Sequence, residues 1–106
     1  MAKKSLADIY LDGRVSLDPV PLSTGKKARI KYKGLLSSSG ADSIYMHCGY
    51  GMGWTDSTEI MMSRGVDGSW SCDFTIDGTD RLNFCFRDSA HNWDNNSGLN
   101  WGCDIS

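Results

Sequence analysis

The sequence predicts an all-β protein, an immunoglobulin-like β-sandwich of about seven short antiparallel strands, with a small barrel as the alternative. Short stretches of the chain alternate between apolar and polar residues, as the strands of a half-buried sheet do. Residues that favour turns recur at intervals of roughly 8–12 residues. Twelve glycines against two prolines suit an all-β chain with many tight turns. No stretch shows the period of an amphipathic helix.

The length and charge of the chain limit its class. Its 106 residues are enough for one domain with a modest core. We expect residues 1–13, which show no sustained period, to be a flexible arm and residues 14–106 to be a single module. The formal net charge of −2 gives no electrostatic reason to expect nucleic acid or an anionic membrane as a partner. Because residues 1–13 lack the apolar segment of a signal peptide, the chain as written is expected to be cytoplasmic, or extracellular if excised from a secreted parent.

The candidate strands follow one another with turn residues between them. Pro19 and Pro21 place the first strand at a sheet edge, because proline cannot donate to a strand ladder. We predict loops over residues 35–42 and 51–58, where serine and glycine are frequent and alternation stops. The predicted strands are residues 14–22, 26–36, 43–50, 59–64, 69–76, 81–87 and 99–105.

Alternation within these strands assigns the two faces of each. The basic residues of the second strand occupy its polar phase, which we interpret as a solvated sheet face rather than an anion-binding one. The residues in the apolar phases, predicted to form the core, are Ala28, Ile30, Tyr32, Ile44, Met46, Cys48, Trp70, Cys72, Phe74, Ile76, Leu82, Phe84, Phe86, Leu99, Trp101, Cys103 and Ile105.

The four cysteines are far apart and form no CxxC pair, which excludes the usual zinc-ribbon and thioredoxin-like patterns. Cys48, Cys72 and Cys103 each lie in the apolar phase of their own strand, where a reduced cysteine behaves as a small core residue. Reduced thiols are therefore favoured over a single disulfide. Cys85 lies in the polar phase of its strand and is the candidate for reactivity.

No catalytic motif is evident in the chain. The serines lie outside any nucleophile elbow, and most acidic residues fall in turns or on solvent-facing strand positions. His47 and His91 would form a metal pair only by tertiary coincidence, and residues 94–98 (DNNSG) lack the spacing and distal glutamate of a calcium loop. We expect no metal, no cofactor and no enzyme; catalysis would require a carboxylate pair that the sequence does not reveal.

Two of the four tryptophans lie in loops instead of strands. Trp54 follows a glycine-rich stretch and Trp93 lies among asparagines, while His47 is in the polar phase of the strand that leads to Trp54. Indoles stack on the C–H faces of sugar rings, and histidine or amide groups bind their hydroxyls. From spacing alone three interpretations stay open: a sugar-binding platform, a buried structural role and a protein interface.

Three motifs add a family resemblance. The runs YMHCGYGMGW (45–54), DGSW (67–70) and RLNFCFRDSAHNWDNNSG (81–98) resemble the starch-binding carbohydrate-binding modules of families 25 and 53 in content and order. The resemblance spans roughly residues 26–105. It implies an immunoglobulin-like sandwich that binds α-1,4-glucans such as starch, glycogen and maltooligosaccharides without catalysis. Such modules accompany glucan-active enzymes, so the chain is expected to be a fragment of one, a partner of one, or a stand-alone module.

The resemblance also assigns residues to the site. His47 corresponds to the binding histidine of the family, and Trp54 and Trp93 correspond to its two stacking tryptophans. Asn95, Asn96 and Asp94 correspond to the loop that frames the site. Two rings set at an angle suit an α-glucan because that chain curves. The alternative from the residues alone is a protein-interaction sandwich that uses the same aromatic patch.

Overall fold

Two antiparallel sheets face each other across an apolar layer in the computed structural model, which describes residues 14–18, 21–96 and 98–106. The predicted arm, residues 1–13, lies outside the described residues. The strands are β1 (Val15–Asp18), β2 (Lys27–Tyr32), β3 (Ile44–Tyr50), β4 (Thr55–Met61), β5 (Ser63–Arg64), β6 (Trp70–Thr75), β7 (Arg81–Asp88), β8 (Trp93–Asp94) and β9 (Trp101–Asp104), and one short helix, α1, covers Leu35–Ser38.

The strand order confirms the predicted all-β sandwich. One sheet has the order β1-β2-β6-β5, and the other has the order β4-β3-β7 with both β8 and β9 paired to β7. Between β4 and β5 only Met62 intervenes, so the chain passes there from one sheet to the other. Strands β8 and β9 occupy successive positions along the same edge of β7. Each of the seven predicted strands overlaps a described strand, but residues 59–64 are divided between β4 and β5 in different sheets, and β8 lies where a loop was predicted.

Most residues that alternation assigned to the core are buried, and among the described residues the core also contains six that it did not assign: Val15, Leu17, Leu22, Leu36, Tyr50 and Met62. Residues in the apolar phases of β2, β3 and β7 are fully buried, and Trp70 and Trp101 are buried as predicted. Cys72 and Cys103 pack against the core but are only partly buried. The prediction for Leu99 is wrong: the residue is 80% exposed because it belongs to the turn before β9.

Three predicted loops contain regular structure. In one of them, Trp93 and Asp94 form strand β8 because their backbone pairs with β7. Strand β4 begins at Thr55, within the stretch predicted as a connection; nearly all of its residues are exposed, so it shows no alternation. Residues 35–38 form α1, a single helical turn too short to give a periodic signal. Its Leu36 N–H donates to the Tyr32 hydroxyl at 3.0 Å, which ties the turn to the core.

The outer face of the four-stranded sheet is exposed and charged. Lys27, Arg29 and Lys31 alternate outward along β2, in agreement with the interpretation as a solvated face. Arg29 donates two hydrogen bonds to Asp73 on β6, with lengths of 2.7 and 3.1 Å. None of the helices in the described part of the chain is long and apolar enough to span a membrane.

Candidate functional site

Three aromatic rings meet on the outer face of the five-stranded sheet. The His47 ring on β3 lies 5.7 Å from the Trp54 ring, centroid to centroid, with an interplanar angle of 23°. It also lies 5.7 Å from the Trp93 ring, with an interplanar angle of 89°. Because one indole is nearly parallel to the imidazole and the other perpendicular to it, the two indoles are steeply inclined to each other. The structure therefore brings together the three ring residues predicted from sequence.

A close approach between Trp54 and the sheet places the first indole. Gly49 lies two residues after His47 on β3, and a Cβ atom there would lie 2.9 Å from the Trp54 Cα and 3.0 Å from its Cβ. Only glycine leaves room for this packing. Trp54 itself has a φ of 52°, a conformation that bulky residues seldom adopt. Thr55 fixes the hairpin by donating its hydroxyl to the Tyr50 carbonyl at 2.8 Å.

Trp93 reaches the site through a turn organised by Asp88. One carboxylate oxygen of Asp88 accepts from the Ala90 and Asn92 N–H groups at 3.0 and 2.8 Å, and the other accepts from the Asn92 side chain at 3.0 Å. These bonds, those from Asn92 above all, lower the pKa of Asp88 from its ordinary value. The turn brings β8 back beside β7, where Trp93 pairs with Arg87. Trp93 stays 46% exposed, so its indole is available to a ligand.

The loop residues predicted to frame the site have different roles from one another. Asp94 is 4% exposed and accepts a 2.6 Å hydrogen bond from the buried Tyr32 hydroxyl. Burial and this bond raise the pKa of the Tyr32 phenol. Asn96 accepts from Arg14 at 2.8 Å and donates to the Asn100 carbonyl at 3.2 Å. Asn95 is exposed, and its side-chain oxygen accepts from the Gly98 N–H at 2.9 Å.

Asp94 and Asn96 therefore hold the loop in place, and their polar atoms are already engaged by neighbouring residues. Asn95 is the loop residue at the surface. On the outer face of the sheet, the rings that lie together are those of His47, Trp54 and Trp93.

A charged network beside His47 could not be found from the sequence. Arg87 on β7 donates two hydrogen bonds to Glu59 on β4, of 2.8 and 2.7 Å, and its guanidinium carbon lies 4.3 Å from the centroid of the Tyr45 ring. The hydrogen bonds from Arg87 are the main reason that the pKa of Glu59 is lowered. Glu59 Oε2 in turn lies 3.5 Å from His47 Nδ1. Knowing the register between β3 and β4 would have revealed this network, because that register sets Glu59 directly opposite His47.

Cys85 lies directly opposite His47 on the other side, in β7. It is on the outer face, as its phase predicted, but is only 6% exposed. Burial raises the pKa of its thiol to about 11. Since the thiolate is the reactive form, this environment does not support the predicted reactivity. All four cysteines are reduced, with no disulfide among them, as favoured from the sequence.

Comparison with protein families identifies the class of the chain. The model of the starch/carbohydrate-binding module of family 53 matches residues 28–84, which is more than half of the chain. The chain belongs to this family. The match confirms the resemblance seen in the sequence motifs, and it makes this protein a carbohydrate-binding module.

The family 53 match covers only part of the site. It includes His47 and Trp54 and ends within β7, before Trp93 and the loop that follows it. Searches of curated proteins and of solved structures gave no match. The assignment of Trp93 to the site thus rests on its 5.7 Å contact with His47.

Proposed function

We propose that this module binds α-1,4-glucans, namely starch, glycogen and maltooligosaccharides, by stacking glucose units on Trp54 and Trp93, and that it performs no catalysis. The observation that carries the proposal is the inclination of the two indoles about His47. A glucose ring has faces of C–H bonds that lose water when they stack on an indole. Successive glucoses of an α-1,4-glucan turn relative to one another, so two inclined indoles match an α-1,4-glucan better than a flat, β-linked glucan.

The polar groups around the indoles divide into direct contacts and supports. We assign direct contact with sugar hydroxyls to His47 and to the exposed Asn95. Asp94 and Asn96 support the loop through their bonds to Tyr32, Arg14 and the Asn100 carbonyl. Each stack contributes about 1–2 kcal/mol, as aromatic contacts do, so we expect weak binding with a Kd on the order of hundreds of micromolar.

Intrinsic tryptophan fluorescence tests this function. The protein is titrated with maltoheptaose, with cellohexaose as the control sugar, in the wild type and in Trp93→Ala. Val66→Ala is the matched control variant, because Val66 is an apolar residue fully exposed in the turn between β5 and β6. We expect a saturable change with maltoheptaose alone, lost in Trp93→Ala and kept in Val66→Ala. A folded wild type that responds to neither sugar would refute the proposal.

The exposure of Trp93 also favours a second candidate, a protein interface. Trp93 and Leu35, both well exposed, line one groove of about 400 Å³ between β8 and α1. Exposed aromatic and aliphatic side chains of this kind anchor protein partners. Sedimentation velocity over a range of concentrations separates the two functions. A self-association that Trp93→Ala abolishes, without any response to sugar, would favour the interface.

A further inference from the structure

We propose that Glu59, held by Arg87, is a positioning residue that keeps the proton of His47 on Nδ1, so that Nε2 meets the sugar as a hydrogen-bond acceptor. The inference rests on the proposed glucan-binding function and deepens it. It assigns a role to the carboxylate that lies beside the imidazole on the neighbouring strand β4. It also states which kind of sugar group His47 recognises: a hydroxyl that donates.

The surroundings of His47 Nδ1 decide which ring nitrogen carries the proton. This atom is buried and makes no hydrogen bond within the described residues. The acidic oxygen beside it is Glu59 Oε2 at 3.5 Å, a distance too long for a well-formed hydrogen bond but short for an electrostatic contact. A neutral imidazole carries one proton on either nitrogen. An N–H facing a carboxylate is attracted to it, whereas a bare lone pair is repelled, so the proton is placed on Nδ1.

Arg87 holds the Glu59 carboxylate in its charged form and in its orientation toward His47. Both of its oxygens accept from Arg87, at 2.7 and 2.8 Å. The Arg87 guanidinium is in turn packed on Tyr45, with 4.3 Å between its carbon and the ring centroid. A bidentate pair of this kind fixes the direction of the carboxylate as well as its charge. On the β7 side, His47 faces the buried thiol of Cys85, which is uncharged.

The other ring nitrogen of His47, Nε2, is the one that can reach a ligand. The His47 side chain is about one-third exposed although Nδ1 is buried, so the accessible edge of the ring is the one that carries Nε2. The Trp54 and Trp93 ring centroids each lie 5.7 Å from the centroid of this imidazole. With the proton on Nδ1, Nε2 offers a lone pair to a glucose unit stacked on either indole. A tautomer set by a partner behind the ring is a common use of a carboxylate next to histidine.

The tautomer is measured directly by long-range ¹H–¹⁵N correlation spectra of the imidazole rings in the sugar-free protein at neutral pH. A His91→Gln variant identifies the signals of the second histidine. We expect wild-type His47 to show a protonated Nδ1 and a bare Nε2. In Glu59→Gln the amide can donate to Nδ1, so we expect the proton to move toward Nε2. The affinity for maltoheptaose should then fall about 3- to 10-fold, as for the loss of one hydrogen bond.

The chain offers a matched control for the loss of a bidentate pair. Asp73→Asn breaks the Arg29–Asp73 pair, which has similar geometry but lies on the outer face of the opposite sheet. This variant should keep both the His47 tautomer and the affinity. A wild-type spectrum with the proton on Nε2 would overturn the inference, as would a Glu59→Gln variant with unchanged tautomer and affinity. Because the spectrum needs no sugar, it decides the tautomer even if Glu59→Gln folds poorly. A wild type that binds no α-glucan would refute the proposed function, and with it the sugar contact of Nε2.

Discussion

Replacing Gly49 with alanine tests whether the sheet beneath Trp54 sets the position of its indole. A Cβ atom at residue 49 would lie 2.9 Å from the Trp54 Cα, and ordinary van der Waals contact begins at 3.4 Å, so the two backbones must separate by about 0.5 Å. The atoms that the new methyl group meets belong mainly to the backbone, so no side-chain rotation relieves the contact. The hairpin itself has to move.

This movement should weaken sugar binding while leaving the protein folded. Trp54 already has an unfavourable φ of 52°, so the loop has little freedom to adjust without rotating the indole away from His47. Overpacking of this kind costs about 1–3 kcal/mol of unfolding free energy. A stack worth about 1–2 kcal/mol, if lost, lowers the affinity for maltoheptaose about tenfold. Titration calorimetry gives the affinity, and thermal unfolding gives the stability.

Gly53→Ala is the matched control, since Gly53 belongs to the same hairpin loop and a Cβ atom there would meet nothing within 4 Å. We expect this variant to bind maltoheptaose as the wild type does. The stability should stay equal or rise by about 0.4–1 kcal/mol, because alanine restricts the unfolded chain. Wild-type affinity in Gly49→Ala, or an equal loss in both variants, would refute the reasoning.

Three further predictions concern single side chains. Trp93→Ala should lower the affinity for maltoheptaose at least about tenfold with a loss of unfolding free energy under about 1 kcal/mol, whereas the buried Trp101→Ala should lose about 3–5 kcal/mol; chemical denaturation compares the two stabilities, and equal losses would show that Trp93 is a core residue. Tyr32→Phe should cost about 1–3 kcal/mol in the same assay, because it leaves the buried Asp94 carboxylate without its 2.6 Å hydrogen bond; an unchanged midpoint would contradict this. The pKa of Asp88 is lower in the folded than in the unfolded chain, so its stabilising effect is complete above about pH 4 and is lost as the pH falls further. The melting temperature of Asp88→Asn should therefore fall less on acidification than that of the wild type. An equal fall in both proteins would contradict a stabilising role of the Asp88 carboxylate.

The strands of the core were predictable because one face of each is buried. Burial on one side imposes alternation, and residues such as Met46 and Phe84 are placed correctly by this signal alone. Strand β4 was not predictable in full, because its exposed residues carry no alternation. Because the start of β4 carries no sequence signal, the position of Glu59 opposite His47 was not predictable. The charged pair behind the imidazole was missed for this reason.

The site was predictable in its residue types but not in its geometry. His47 and Trp54 were marked by phase and by the glycine-rich stretch, yet their contact depends on the close approach at Gly49 and on a rare φ at Trp54. Neither feature has a sequence signal beyond the glycine itself. For Asp94 the prediction and the structure differ: the residue was predicted as part of the loop that frames the site, beside Trp93. In the short strand β8 consecutive residues point to opposite sides, which directs Asp94 toward Tyr32.

The interrupted edge of β7 makes one rim of the site a replaceable part. Trp93 is anchored by its pairing with Arg87, and Trp101 is anchored on the same strand by its pairing with Phe84. Between these two anchors, exposed positions such as Asn95 and Leu99 can change while Asp94 and Asn96 keep the loop attached, much as hypervariable loops change on a fixed immunoglobulin framework. Residues grafted at these positions would lie beside a tryptophan whose own attachment is unchanged. Under the proposed function, these exposed positions are therefore the place to redesign which glucan the module prefers.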